Sequence, residues 1–410
     1  MRRALALWLL LFGVYAATIG FDDYTGDEPH YLIAARSLSH DADVDVANQY
    51  VERGVKPHGK LSKGRLNEPY GIGFPLLILP AYAIGGAKAV ELFLAALAAL
   101  GLALAYRLAL SAAPDPWALG AAAAAGLSPP LLAYSTAVSP ELAAGALLAG
   151  AALLAIKLDE RPGWRHAFGC FVLLGALPWL GVRFLPAATV IGVVAARALW
   201  RSRRRTLTIG AVEVSLFSLA LLVGINEALY DGPTPYSAAD SATGASNVAD
   251  YLGRLPRLGT LFVDPGFGLL RWAPLFALAF AGLWWLWRSR RDHLARAVSQ
   301  LHTTELTAGL CAAVLAVQLS LAVLLAPTAD TLPFAARHLI PALPLAVPLV
   351  ALGLRRLPRV GVALALITLG LSAWLYADVR WGDTALREAS HQPSSRATNT
   401  LGLSAYSRAP

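Results

Sequence analysis

The chain has 410 residues, of which 57% are hydrophobic and only 15% are charged, and its mean hydropathy is +0.55. A soluble protein of this length can bury a core without so much alanine and leucine, so the composition excludes a soluble globular protein and indicates a membrane protein with several spans. The net charge of +8 does not indicate a nucleic-acid partner, because basic residues of membrane proteins usually mark cytoplasmic loops.

Apolar runs of about 17–25 residues recur along the chain, and each is long enough to cross a hydrocarbon core of about 30 Å. The sequence therefore predicts an all-α polytopic membrane protein with about eleven transmembrane helices. The predicted spans are 4–20, 88–110, 117–133, 140–157, 166–182, 184–200, 207–228, 272–288, 303–326, 338–354 and 360–377.

Basic loops give the orientation. Short loops rich in arginine recur on the side of Arg2 and Arg3, for example at 201–205 and 355–359. The positive-inside rule places that side in the cytoplasm. The first span also resembles a signal peptide, but in both interpretations the chain emerges on the outer face after residue 20.

Residues 71–86 test this topology because they are apolar enough to cross the membrane. A full crossing there would move every later basic loop to the side opposite Arg2 and Arg3. Two prolines and the Gly85-Gly86 pair suit a helix that lies in the interface or dips back. We therefore expect one crossing between residues 70 and 112.

The remaining segments are predicted to be external. The transmembrane domain would span 1–377, with a first external loop at 21–70 that carries interfacial helices, and a weakly ordered external tail at 378–410. Further external loops are expected at 229–271 and 327–337.

The first external loop begins with an acidic motif, Gly26-Asp27-Glu28-Pro29-His30. Asp27 is placed to cap a helix, since Pro29 suits a first turn and apolar residues follow at helical spacing. A carboxylate at a membrane exit can also act as a general base for a hydroxyl group in a pocket that excludes bulk water. Both roles stay open. His30 and Tyr31 are expected to support the acidic pair or to face an acceptor.

Three arginines fall on the external side, where the positive-inside rule predicts few. They are Arg183, Arg271 and Arg337, the last followed by His338. Paired N–H donors match guanidinium to phosphate, so we predict that these residues bind a phosphate group. The alternative for any one of them is an interfacial anchor.

Other acidic residues carry weaker signals. Glu141 begins a predicted span, where a carboxylate favours the helix dipole; its functional alternative is an acceptor-binding or supporting role. Asp41, Asp43, Asp45 and Glu52 match part of a calcium loop, but Val46 stands where that loop needs glycine, which favours a solvated turn. Asp27, Glu28 and His30 could together hold a divalent ion, although we favour no metal and no cofactor.

Two motifs together resemble the GT-C superfamily of integral-membrane glycosyltransferases. They are Asp27-Glu28 in the first external loop and Arg337-His338-x-x-Pro341-x-x-Pro344 late in the chain. The pattern is similar to protein O-mannosyltransferases and lipid A aminoarabinose transferases. Residues 26–50 and 264–275 resemble a bacterial subgroup of membrane glycosyltransferases.

The resemblance implies inverting transfer of a sugar from a polyprenyl-phosphate donor on the extracytoplasmic face of a bacterial plasma membrane. It implies Asp27 as the general base, Glu28 as its neighbour in the motif, and Arg337 as the residue that holds the donor phosphate. The acceptor would be a glycan, a lipid or a protein. The sequence leaves two alternatives: a transporter or flippase of a lipid-linked sugar, and a non-catalytic subunit of envelope assembly.

Overall fold

A computed structural model describes residues 1–381 and 386, with gaps at 22, 25, 54–60, 63, 239–247, 265–267, 290–298, 326–333 and 382–385. The described residues fold almost entirely into helices, and their β-structure is a two-stranded antiparallel hairpin. This confirms the predicted all-α polytopic class.

Seventeen helices follow one another along the described chain. They are α1 (Arg2–Ala16), α2 (Glu28–His40), α3 (Ala47–Arg53), α4 (Gly73–Ala109), α5 (Trp117–Gly126), α6 (Pro129–Tyr134), α7 (Pro140–Glu160), α8 (Trp164–Leu180), α9 (Leu185–Arg201), α10 (Arg205–Tyr230), α11 (Val248–Leu252), α12 (Arg257–Val263), α13 (Leu269–Trp272), α14 (Ala277–Ser289), α15 (Ser299–Leu324), α16 (Leu343–Arg356) and α17 (Pro358–Trp381). The hairpin strands are β1 (Leu61–Ser62) and β2 (Arg65–Leu66), and 3₁₀ turns occupy Val182–Phe184, Pro235–Ala238, Pro274–Phe276 and Phe334–Ala342.

Seven helical segments in the described chain are long and apolar enough to cross a membrane. The other predicted spans also fold as helix but are shorter or broken. The segment 117–133 divides into α5 and α6, and 272–288 divides into α13, a 3₁₀ turn and α14. The breaks precede Pro129-Pro130 and Pro274, because proline disfavours helical backbone in the residue before it.

Helix α4 is longer than predicted, since it begins at Gly73 instead of residue 88. Its backbone leaves helical geometry at Gly85 and at Gly86, and Gly86 has φ of 63°, a region that favours glycine. The segment predicted to dip back is therefore a separate helical piece that ends at this glycine pair.

The helices differ in what surrounds them. Helices α7 and α16 are almost wholly buried at the centre of the bundle, whereas α10 and α17 expose most of their apolar surface. Large hydrophobic side chains such as Phe217 and Leu366 are exposed there. Apolar residues on the outside suit helices that face lipid.

Two contacts agree with the topology predicted from charge, one between α1 and the α4–α5 connection and one at the C-terminal end of α7. Arg3 Nη1 pairs with Asp115 Oδ2 at 2.5 Å, and His302 Nδ1 lies 3.4 Å from Asp159 Oδ2 near the C-terminal end of α7. Arg3 and Asp115 lie on one side if 71–86 does not cross, and on opposite sides if it does. Glu141 lies at the other end of α7, roughly 27 Å from Asp159 at a rise of about 1.5 Å per residue.

Two predicted segments lie largely outside the described residues. The tail was predicted to begin at 378, but α17 continues to Trp381, and the rest of the tail falls outside apart from residue 386. Much of the loop at 327–337 also lies outside.

Candidate functional site

Asp27 is held at the start of α2. Gly26 precedes it with φ of 59°, which lets the chain turn sharply into the helix. Asp27 occupies the N-cap position, as its sequence context predicted, but its carboxylate makes no capping hydrogen bond. Instead, Asp27 Oδ2 accepts a hydrogen bond from Arg337 Nη2 at 3.1 Å. The carboxylate therefore faces another functional group rather than its own helix.

Glu28 turns away from Asp27 and into the protein. Its side chain is buried, and Val138 N–H donates to Glu28 Oε1 at 2.6 Å. Val138 lies in the short connection between α6 and α7, so this bond joins the first loop to the N-terminal end of α7. This bond fixes the start of α2 and thereby positions Asp27, the residue before Glu28.

His30 belongs to a buried polar chain beneath α2. His30 Nδ1 hydrogen-bonds with the hydroxyl of Tyr50, which donates to Glu68 Oε1. The imidazole nitrogen lies 3.4 Å from the same carboxylate oxygen. These contacts tie α2 to α3 and to the segment before α4.

Aromatic packing holds the other side of α2. The ring of Tyr31 lies 5.4 Å from that of Tyr70 and 4.8 Å, edge to face, from that of Phe74. Tyr70 also lies close enough to Asp27 to feel the charge of its carboxylate. Burial, and then the Asp27 charge, raise the pKa of Tyr70 above its usual value. The Tyr70 hydroxyl therefore stays protonated near neutral pH.

Glu141 joins two of the predicted arginines. Its Oε1 accepts from Arg337 Nε at 2.8 Å and from Arg183 Nη2 at 3.0 Å. The sequence predicted a cap or a supporting residue at Glu141; in the structure its carboxylate fixes two guanidinium groups, and Arg183 also lies over the ring of Phe184.

Small residues on α7 allow this approach. A Cβ atom at Gly145, one turn after Glu141, would lie 3.0 Å from the carbonyl oxygen of Pro341. The 3₁₀ turn that carries Arg337 can therefore pack directly against α7. Close backbone contact through glycine and alanine is typical of helices packed within membranes.

Asp27, Glu141, Arg183 and Arg337 thus form one ion-pair cluster of balanced charge. The Glu141 side chain is only 1% exposed, whereas those of Asp27, Arg183 and Arg337 are 34%, 33% and 20% exposed. The Asp27 carboxylate and both guanidinium groups stay partly exposed, and the buried Glu141 carboxylate pairs with both arginines. The described bonds of Arg337 use two of the five N–H groups of a guanidinium.

The remaining predicted phosphate ligands have described hydrogen bonds to other groups, although His338 lies within range of the charges of Arg183, Glu141 and Arg337. The exposed side chain of Arg271 donates to the carbonyl oxygen of Val263 at 3.2 Å. His338 follows Arg337, and its carbonyl oxygen accepts from Gln318 Nε2 at 2.8 Å. A phosphate-binding role for Arg271 and for His338 stays a prediction.

No group of three His, Cys, Asp or Glu side chains among the described residues is arranged to hold a metal ion. Asp27, Glu28 and His30 turn to three different partners, so the divalent-ion alternative gains no support from their geometry. In the turn that matches part of a calcium loop, Asp45 Oδ1 accepts hydrogen bonds from the N–H groups of Ala47 and Leu66, both at 3.1 Å.

Sequence reasoning missed Tyr70 and Glu68. Both lie in Asn67-Glu68-Pro69-Tyr70, a polar stretch directly before an apolar run. Like the motif around Asp27, this stretch places a carboxylate close to a tyrosine at a predicted membrane boundary. That similarity is the sequence signal that could have identified both residues.

Solved structures of ArnT from Cupriavidus metallidurans, an aminoarabinose transferase of the GT-C type, share this fold. The apo structure and the structure bound to undecaprenyl phosphate each match with a TM-score of 0.58 at 14% sequence identity. The match covers 98% of this chain and 70% and 69% of the two ArnT chains. No family model and no curated protein matches the sequence.

Proposed function

Because the chain has the fold of a GT-C membrane glycosyltransferase, we propose that it transfers a sugar from a polyprenyl-phosphate donor to an acceptor hydroxyl group. The observation that carries this proposal is the contact of Asp27 with Arg337, which joins a partly exposed carboxylate to a partly exposed guanidinium. A sugar transfer from a lipid phosphate needs both: a group that accepts a proton and a group that binds a phosphate.

Asp27 is the general base in this proposal. Its carboxylate accepts the proton of the acceptor hydroxyl as that oxygen attacks the anomeric carbon of the donor. The bond from that carbon to the phosphate oxygen breaks on the opposite face, so the configuration inverts. Positioned bases of this kind contribute about 10²–10⁴-fold to rate. Glu28 fixes the start of α2 through its bond with Val138 N–H, and Arg337 orients the Asp27 carboxylate.

Arg337 and Arg183 bind the phosphate. Negative charge grows on the phosphate as the sugar leaves, and guanidinium N–H groups stabilise it through charge-assisted hydrogen bonds. Loss of one such donor costs about 3–4 kcal/mol in comparable oxyanion sites. Glu141 keeps both guanidinium groups at one place before the donor arrives. The ArnT structure with undecaprenyl phosphate bound supports a lipid phosphate as the ligand.

We propose that transfer needs no metal ion, because two guanidinium groups can balance the charge of a leaving monophosphate. Transfer should persist in excess chelator. Activity that is abolished by chelator and restored by one divalent ion would contradict this part of the proposal.

The proposal also includes a cellular location. We propose a bacterial plasma-membrane protein whose ion-pair cluster faces the exterior, where a glycan, a lipid or a protein accepts the sugar. A flippase of lipid-linked sugars would also use the arginines, but it would have no use for a base. Transfer and flipping can be measured separately.

The test is transfer from a synthetic polyprenyl-phosphate sugar by the purified protein in lipid nanodiscs. Asp27→Asn should lower the rate by about 10²-fold or more, because the amide cannot accept the proton. Asp23→Asn is the matched control, since Asp23 is exposed four residues earlier in the same loop. Full transfer by Asp27→Asn would disprove the base, and flipping without transfer would disprove the enzyme.

A further inference from the structure

The segment that contains α11 and α12 exposes a row of leucines. The two helices are joined by turns in which an N–H group donates to the carbonyl oxygen three residues earlier. Leu255 N donates to Leu252 O at 3.1 Å, and Leu258 N donates to Leu255 O at 3.0 Å. Side chains three residues apart lie on one face in such turns. Leu252, Leu255 and Leu258 therefore form one leucine row, and they are 58%, 51% and 44% exposed.

The neighbouring row of the same segment holds the cations and faces the protein. It consists of Tyr251, Arg254 and Arg257, which are buried or half-buried. The guanidinium of Arg254 lies 5.4 Å from the ring centre of Tyr251, and Arg254 Nη1 donates to the carbonyl oxygen of Leu324 at 2.6 Å. Leu324 ends α15, where carbonyl groups lack partners within the helix. Arg254 thus binds the end of α15, while the leucine row is left exposed.

The outer faces of the segment carry no charge. The third row is Gly253, Pro256 and Gly259, and between residues 252 and 263 every exposed side chain is uncharged. The hydroxyl of Thr260 donates to the carbonyl oxygen of Arg257 at 3.0 Å. A loop in water usually exposes its arginines and buries its leucines, and this segment does the reverse. Such an arrangement suits a surface that contacts lipid.

Contacts of α12 place the segment at the edge of the bundle. The ring of Phe262 lies 5.5 Å, edge to face, from that of Phe280, which is 55% exposed near the start of α14. Trp284 lies four residues later, on the same face of α14, and is also exposed. The segment therefore continues the lipid-facing surface of the bundle. Arg257 lies within range of the charge of His338, so this end of the bundle is the one that carries the ion-pair cluster.

We propose that residues 250–263 lie in the bilayer leaflet next to the ion-pair cluster, with the leucine row among the acyl chains and Arg254 on the protein side. Lipid is the partner of this face, because the face is uncharged and continues the exposed apolar surface of α14. Interfacial helices of this kind bury their apolar face about 5–10 Å deep. The segment, which the sequence predicts as part of an external loop, is then a membrane anchor. Anchoring needs no sugar transfer, so it is tested apart from the proposed function.

Fluorescence quenching in lipid nanodiscs tests this position. A bimane label is attached to Leu255→Cys or to Leu258→Cys, and quenching is compared between aqueous iodide and lipid that carries a nitroxide near the top of its acyl chain. Both native cysteines are buried, so the wild type treated with the label gives the blank. Leu366→Cys, on the exposed apolar surface of α17, is the lipid control. Val51→Cys, on α3 beside the exposed Glu52, is the water control.

The labels at Leu255 and Leu258 should be quenched by nitroxide lipid to within about twofold of the label at Leu366, and by iodide about threefold less than the label at Val51. Leu252→Cys replaces a variant that does not fold, and the same result is expected for it. Nitroxide quenching as weak as at Val51 overturns the proposal. It does so whether iodide reaches the label, as in an aqueous loop, or does not, as under another protein or a second copy of this chain.

Discussion

Replacing Glu141 by glutamine removes one negative charge from between two guanidinium groups while keeping the shape of the side chain. In the wild type, one carboxylate oxygen accepts from Arg337 and Arg183 at 2.8 and 3.0 Å. The amide oxygen of the variant can still accept both bonds, but it no longer balances either charge. We expect a loss of stability larger than that caused by Asp27→Asn.

The structure sets the size of this loss. Removing one partner of a fully buried ion pair costs about 3–5 kcal/mol. Glu141 is buried, but Arg183 and Arg337 keep partial contact with solvent, so we expect about 2–3 kcal/mol. Asp27 is about one-third exposed and contacts one arginine; its pair is worth about 1 kcal/mol or less.

The two variants should rank in the opposite order for transfer activity. Asp27→Asn removes the proposed base, whereas Glu141→Gln only loosens the arginines, so Asp27→Asn should lose more transfer activity and Glu141→Gln more stability. Intrinsic tryptophan fluorescence in nanodiscs reports unfolding. At about 2 cal/mol/K per residue, the Glu141→Gln midpoint should fall by at least about 2 °C. Equal midpoints for the two variants would refute the anchoring role of Glu141.

Three further predictions follow from the same contacts. Gly73→Ala should lower the thermal midpoint, since its methyl group would overlap the Trp179 carbonyl, while Gly224→Ala, with no atom near its Cβ position, should leave the midpoint unchanged or raised; equal effects would contradict the close approach. Tyr70 has a raised pKa in the folded state, so its stabilising effect is complete below about pH 10 and is lost at higher pH. Denaturant unfolding should therefore show the stability gap between wild type and Tyr70→Phe narrowing above pH 10, and a constant gap would contradict this sign. Cysteines at positions 65 and 114 should be labelled from opposite faces of the membrane, and labelling from one face would refute a single crossing by α4.

The sequence predicted much of the architecture because hydropathy and charge act over whole segments. Runs of apolar residues must satisfy their backbone as helix in lipid, so all-α structure followed from composition. Loop charges predicted which ends lie together, in agreement with the contact of Arg3 with Asp115 at one end and of Asp27 with Arg337 at the other. The Gly85-Gly86 pair predicted the break in α4 because two successive glycines stabilise helix poorly.

The sequence was less able to assign individual side chains. Asp27 has the context of a helix cap, yet its carboxylate binds Arg337, which is 310 residues away. Glu141 has the context of a helix N-terminus, and its carboxylate joins two arginines from separate segments. Local patterns report what a residue can do within its own helix, and they carry no information about a partner brought close by packing.

By itself, then, the sequence determined that this chain is a helical membrane protein, and it predicted that a set of carboxylates and arginines lies on one side of the bilayer. Only the tertiary structure decided which of them meet: Glu141 with Arg183 and Arg337, and Arg337 with Asp27. The physical reason is the different distance over which each effect acts. Hydrophobic transfer and the positive-inside rule act on each segment separately, whereas an ion pair requires atoms within about 4 Å. That distance depends on the packing of the whole bundle, including the glycine contact of α7 with the turn that carries Arg337.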